Sequence, residues 1–126
     1  MRALLINAGL FFFVMIIGYS SVLGIKWVMS EPMVVKGDFS LHREASSKKV
    51  LFYGTDWCPI CEKTRTYFKA RKVDYDELNP EKDEQVMTNY LLTESKGYPV
   101  IIIGNTMIYG FNVDEVESAL KENGLI

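Results

Sequence analysis

Both cysteines of this chain lie in one stretch, YGTDWCPICEKTRTYF, as Cys58 and Cys61. Two thiols separated by two residues can close a small disulfide ring. Where such a pair opens a helix, the first thiol meets unpaired backbone N–H groups and the positive end of the helix dipole. That field favours the thiolate and lowers the thiol pKa from about 8.5 toward neutrality or below. Cys58 is then expected to be the exposed nucleophile. Cys61, about one turn on, is expected to be more buried and protonated, and to resolve the mixed disulfide formed at Cys58. Pro59 suits the first helical turn, where its missing N–H costs nothing. A structural zinc site needs about four ligands, whereas the chain offers two cysteines and a single histidine, His42. An inert core pair would not explain why both cysteines fall at a strand-to-helix junction. A redox pair near a βαβ pattern is the preferred interpretation, and no metal is expected.

The surrounding pattern supplies the elements that position the pair. KVLFYG, 49–54, is a short apolar run that predicts a buried strand. A helix follows to about Lys72, with Ile60, Thr64, Tyr67 and Phe68 on one face. VDYDELN, 73–79, predicts a short strand. Asn79-Pro80-Glu81 has the chemistry of a helix start, namely a capping side chain, then Pro, then acids. Val86, Met87, Tyr90 and Leu91 would form that helix's apolar face, and Gly97 its stop. YPVIIIG and TMIYG, joined at Gly104-Asn105, predict a hairpin. Asn112, with Glu115 three residues on, opens a last helix that buries Val113, Val116 and Leu120 and ends at Gly124. The order βαβα, hairpin, α implies a four-stranded mixed sheet flanked by three helices, its first two strands joined by a right-handed crossover.

The first part of the chain has a different character. Residues 3–25 carry no charged side chain. As a helix of about 23 residues they would rise about 34 Å, enough for a hydrocarbon core of about 30 Å. Tyr19 and Trp27 lie near the downstream end, where amphipathic aromatics favour an interface. A cleaved signal peptide competes, but the run is long for one and lacks an A-x-A site. The expected organisation is an anchor (or uncleaved signal) at 1–25, a linker at 26–48 and a globular domain at 49–126. Arg2 at the amino terminus favours a single-pass membrane protein with its catalytic domain in a periplasm-like, extracytoplasmic space, where disulfides form. A formal net charge of −2 gives no support for nucleic-acid binding.

VLFYGTDWCPICEKTRTYF, YPVIIIGNTMIYGF and the element order together resemble the glutaredoxins, within the thioredoxin-like superfamily. The resemblance covers about residues 48–124. It implies a cis Tyr98–Pro99 bond beside the cysteine pair, with the Tyr98 backbone presented to an incoming disulfide, and a substrate site formed by Trp57, Pro59, Tyr98, Pro99, Gly110 and Asp114. It also makes glutathione a candidate co-substrate, with no resident cofactor. The pattern departs from glutathione-binding members in two places. Thr55, followed by Asp56, stands where they carry a basic residue three before the first cysteine. Gly110 is followed by Phe111-Asn112-Val113-Asp114 instead of a second glycine. Gly-Phe there is similar to glutaredoxin-like proteins reduced by a protein partner. Asp56 would repel the anionic tripeptide and slightly disfavour a thiolate at Cys58, with Lys63 and Arg65 as partial offsets, so weak glutathione binding is expected.

The function expected is that of a membrane-tethered thiol–disulfide oxidoreductase acting on disulfide-bearing proteins or glutathione mixed disulfides. Two other classes stay open at this point. One is a redox-silent thioredoxin-like binding module at the membrane. The other is an iron–sulfur carrier bridging two chains through Cys58.

Overall fold

The computed structural model describes residue 9, residues 12–19 and residues 33–126. The chain divides into two units, Met1–Pro32 and Met33–Ile126. In the first, residues 12–19 are helical and their side chains are exposed. Among the described residues no helix is long and apolar enough to cross a membrane. On that finding the expected single-pass anchor, and the extracytoplasmic placement built on it, is corrected. The rest of the proposed anchor, and the linker up to residue 32, lies outside the described residues.

The second unit runs β1 (Val34–Lys36), α1 (Ser40–Arg43), β2 (Val50–Tyr53), α2 (Pro59–Ala70), β3 (Asp76–Leu78), α3 (Glu84–Leu91), β4 (Val100–Ile103), β5 (Thr106–Tyr109) and α4 (Val113–Glu122). The sheet has five strands in the order β1-β5-β4-β2-β3, not four. The fifth is β1, which pairs antiparallel with β5 from Val34↔Ile108 to Lys36↔Thr106. It lies inside the stretch read from sequence as a tether. A three-residue edge strand among scattered charges carries too little periodicity to be recognised. β2 and β3 are parallel and the remaining pairs antiparallel, as the crossover and hairpin require.

β2 and β4 are buried along their whole length, which is why VLFY and VIII read as unbroken apolar runs. Alternate residues serve opposite faces. Val50, Phe52, Ile101 and Ile103 face Cys61 and Phe68 of α2 and Val116, Ala119 and Leu120 of α4. Leu51, Tyr53, Val100 and Ile102 face Tyr90 of α3, with Phe39 from the segment before α1 packed alongside. Three residues expected to face the core are instead largely exposed: Ile60, Leu91 and Val113. Each sits at an end of its helix, where the apolar stripe runs off the sheet.

Helix boundaries follow the side chains that cap them. Asp83, not Asn79, starts α3, because its carboxylate accepts from the N–H groups of Gln85 and Val86. The Asn79 side chain instead accepts from Glu81 N–H at 2.9 Å and closes a turn. Asn112 caps α4 through Asp114 and Glu115 as expected. At the hairpin Gly104 takes a φ of +57°, and a Cβ there would collide with the Asn123 side chain.

Candidate active site

The cysteine pair stands where β2 ends and α2 begins. Cys58 is the N-cap of α2, in extended conformation, with Pro59 as the first helical residue. Its Sγ accepts a hydrogen bond from Cys61 N–H at 3.2 Å. This places the sulfur among the unpaired N–H groups of the helix start, where negative charge is favoured. Cys58 and Cys61 are joined as a disulfide, their Cα atoms 5.2 Å apart. Cys61 is fully buried, as expected. Cys58 is only 5% exposed, less than the sequence suggests, because in the oxidised form it packs into the same core cluster as Cys61 and Phe68.

The Tyr98–Pro99 bond is cis. Val100 pairs with Tyr53, so Pro99 and the Gly54–Trp57 turn come to the same edge of the sheet. Trp57, highly exposed, sets its ring edge-on against Tyr98 with centroids 6.1 Å apart. Its indole N–H donates to both carboxylate oxygens of Glu81, at 3.1 and 3.0 Å. Tyr98 in turn lies against Tyr90, centroids 4.8 Å apart. Gly110, at a φ of +81°, donates its N–H to the Pro99 carbonyl at 2.8 Å. Trp57, Cys58, Pro59, Cys61, Tyr98, Pro99 and Gly110 thus gather at one edge. Asp114 lies in the first turn of α4, exposed, where its charge complements the helix dipole.

Several residues at this edge were not singled out from sequence. Lys82 pairs with Asp56 at 2.6 Å. Its hydrogen bond is the main reason the Asp56 carboxyl titrates below the usual range, with the charges of Lys82 and Arg65 adding to it. The Asp56 charge is therefore offset, and its expected repulsion of anions is weakened. The signal was present in the topology. β2 and β3 are parallel, with Tyr53 opposite Leu78, so the segments after each strand leave from the same edge. Arg65, read as a surface offset, is mostly buried and pairs with Glu77 of β3 at 2.7 Å. A groove of about 430 Å³ opens here, lined by Asp56, Glu62, Arg65, Glu77, Asn79 and Lys82. Thr55 is fully buried and its hydroxyl has no hydrogen-bond partner. Among the described residues no group of three or more His, Cys, Asp or Glu side chains is placed to hold a metal ion.

A mixed sheet with a disulfide pair capping the first long helix, opposite a cis-proline, defines a thioredoxin-like dithiol protein. Residues 50–108 match the glutaredoxin family model. A glutaredoxin-like 8.6 kDa protein in the rubredoxin operon of Clostridium pasteurianum, itself uncharacterized, is 32% identical over 76 residues, which is 58% of this chain and 99% of that one. The crystal structure of the T8A mutant of the thioredoxin-like protein BC3987 superposes with a TM-score of 0.56 at 25% identity, covering 59% of this chain and 96% of that one. The glutaredoxin of Archaeoglobus fulgidus (TM-score 0.53, 21% identity, 68% of this chain and 97% of that one) and a buckwheat glutaredoxin–glutathione complex (0.55, 16%, 69% and 89%) share the fold. The chain belongs to the glutaredoxin family.

Proposed function

We propose that the protein is a thiol–disulfide oxidoreductase in which Cys58 attacks and Cys61 resolves. The observation that supports this is the Cys58–Cys61 disulfide at the start of α2, at the same sheet edge as Tyr98–Pro99. In the reduced protein the Cys58 thiolate attacks one sulfur of a substrate disulfide. A Cys58–substrate bond forms, and the first substrate thiolate leaves and takes a proton from water. Cys61 then gives up its proton and its sulfur attacks Cys58 Sγ. The mixed disulfide breaks, the second substrate thiol departs, and Cys58–Cys61 is left oxidised. Two electrons pass to the substrate, and an external dithiol restores the pair. The cysteines carry both electrons, so the cycle needs no resident cofactor or metal.

Disulfide-bearing proteins are the substrates we favour, with a protein dithiol as donor and glutathione, or its mixed disulfides, as a weaker co-substrate. Asp56 contributes less to this than the sequence implies, since Lys82 offsets it. Thr55 and Phe111 carry it instead. Thr55 is buried where a basic residue would otherwise project. The Phe111 ring lies edge-on to Tyr67, centroids 5.5 Å apart, and packs against the cluster holding both cysteines.

The test is turnover of a small mixed disulfide by the full-length protein, with glutathione or a protein dithiol as the sole reductant. We expect slow turnover with glutathione and fast turnover with the dithiol. Cys58→Ser abolishes both, and Cys61→Ser accumulates a mixed disulfide visible by mass spectrometry. Equal turnover with glutathione would overturn the donor preference. Retention of partner binding and cellular role in Cys58→Ser, with no turnover in the parent, would instead make the domain a binding module.

A further inference from the structure

We infer that Arg65, held by Glu77, is a positioning residue for the Cys58 turn. This rests on the oxidoreductase function proposed above. Arg65 lies in α2, and its side chain is 15% exposed. Its Nε donates to Glu77 at 2.9 and 3.1 Å, and Nη2 donates to the same carboxylate at 2.7 Å. Nη2 also donates to the Thr55 carbonyl at 2.9 Å, and Nη1 to Glu62 at 2.8 Å. One planar cation therefore ties α2, β3 and the segment leading into Cys58.

The Thr55 carbonyl is the critical acceptor, because it also receives the Cys58 N–H, at 3.4 Å. Arg65 thus acts on the backbone of Cys58 through one shared oxygen. The Thr55 hydroxyl makes no hydrogen bond, so the carbonyl is what fastens this residue to the helix side. On the sheet side Gly54 N–H donates to Leu78 O at 3.1 Å. A Cβ at Gly54 would collide first with the Phe52 ring, at 2.6 Å, and would also come within 3.1 Å of Glu77 Oε1. A lysine cannot replace this arrangement. A single ammonium lacks the fork that grips a carboxylate and a carbonyl at once.

The same cluster shapes the field at Cys58. Arg65 favours a thiolate there, while Glu77 and Glu62 oppose it. Removing the cation leaves both acids uncompensated in the cluster that joins the Cys58 turn through the Thr55 carbonyl. Removing the Glu77 charge does the reverse.

The experiment is the pH dependence of Cys58 alkylation by iodoacetamide in the reduced full-length protein, with turnover measured alongside. In Arg65→Gln the alkylation midpoint should rise by about half to one pH unit, slowing the reaction at pH 7 roughly three- to tenfold. Glu77→Gln should shift the midpoint down. Arg65→Lys keeps the charge and should hold the midpoint nearer to the parent's, but it should still lose kcat with KM little changed, because the fork is gone. A purely structural role would lower thermal stability in all three variants without moving the midpoints in opposite directions. Coincident midpoints in a reactive parent would overturn the role of Arg65 while leaving the oxidoreductase function intact. A parent that neither alkylates at Cys58 nor turns over would overturn both. Should Arg65→Gln fail to fold, Glu77→Gln and Arg65→Lys still decide the outcome.

Discussion

Replacing Tyr53 by Phe removes one oxygen, yet it should destabilise the domain by about 1–3 kcal/mol. Tyr53 is fully buried at the end of β2, and its hydroxyl lies 3.0 Å from Nδ1 of His42, itself only 5% exposed. Burial pushes the phenol up to about 12, so it remains protonated through the neutral range. Without the hydroxyl, the His42 nitrogen is buried without this partner and bears its desolvation cost uncompensated. His42→Leu should cost a similar amount by stranding the phenol. The double variant should recover much of the loss, since neither polar group then remains. The resulting coupling, about 1–2 kcal/mol, measures how firmly α1 belongs to the domain. Thermal melts resolve it, because 1 kcal/mol moves Tm by roughly 4–8 °C in a domain of this size. A pH series adds an independent check. Desolvation lowers the His42 pKa in the folded protein, so below about 6.5 the unfolded chain binds the extra proton first. Stability should be flat above that pH, fall as pH drops through it, and level off below the folded value. His42→Leu should abolish the fall. An additive cycle together with an unchanged slope in His42→Leu would refute the coupling.

Two further outcomes test other parts of the fold. Gly104→Ala should lower stability by about 2–3 kcal/mol, combining a left-handed φ with displacement of the Asn123 side chain from its 2.8 Å hydrogen bond to Ala119 O. Cys58 alkylation should be unaffected, because the hairpin lies at the other end of β4 from Pro99. In a Trp27→Phe background, Glu81→Ala should change Trp57 emission and lower its anisotropy by releasing an indole hydrogen bond worth about 0.5–1.5 kcal/mol, while Glu81→Gln retains an acceptor and should restore both signals.

The sheet core and the cysteine turn were legible because their signals are local. An unbroken apolar run marks a strand covered on both faces, and Cys-Pro-Ile-Cys marks its own helix start through Pro59. Elements whose placement depends on distant partners were not. β1 is short and takes its register from Ile108, Met107 and Thr106, so nothing within Val34–Lys36 announces a strand. His42 looks like a stray histidine in a charged segment until Tyr53 is seen to receive it. Asp56 and Arg65 show the same limit at the site itself. From sequence Asp56 was set against Lys63 and Arg65, whereas Asp56 and Arg65 are each defined by a partner from the chain beyond β2. Glu77 of β3 holds Arg65, and Lys82, just after β3, offsets Asp56. The parallel pairing of β2 with β3 delivers both partners, so this topology governs the charge around Cys58 as much as the motif does. A tally of acids and bases within a few residues of the pair overstates Asp56's influence. Counting instead across the parallel edge pairs Asp56 with Lys82 and Arg65 with Glu77, while the contact made by the Cys58 sulfur itself is with the Cys61 N–H at the start of α2.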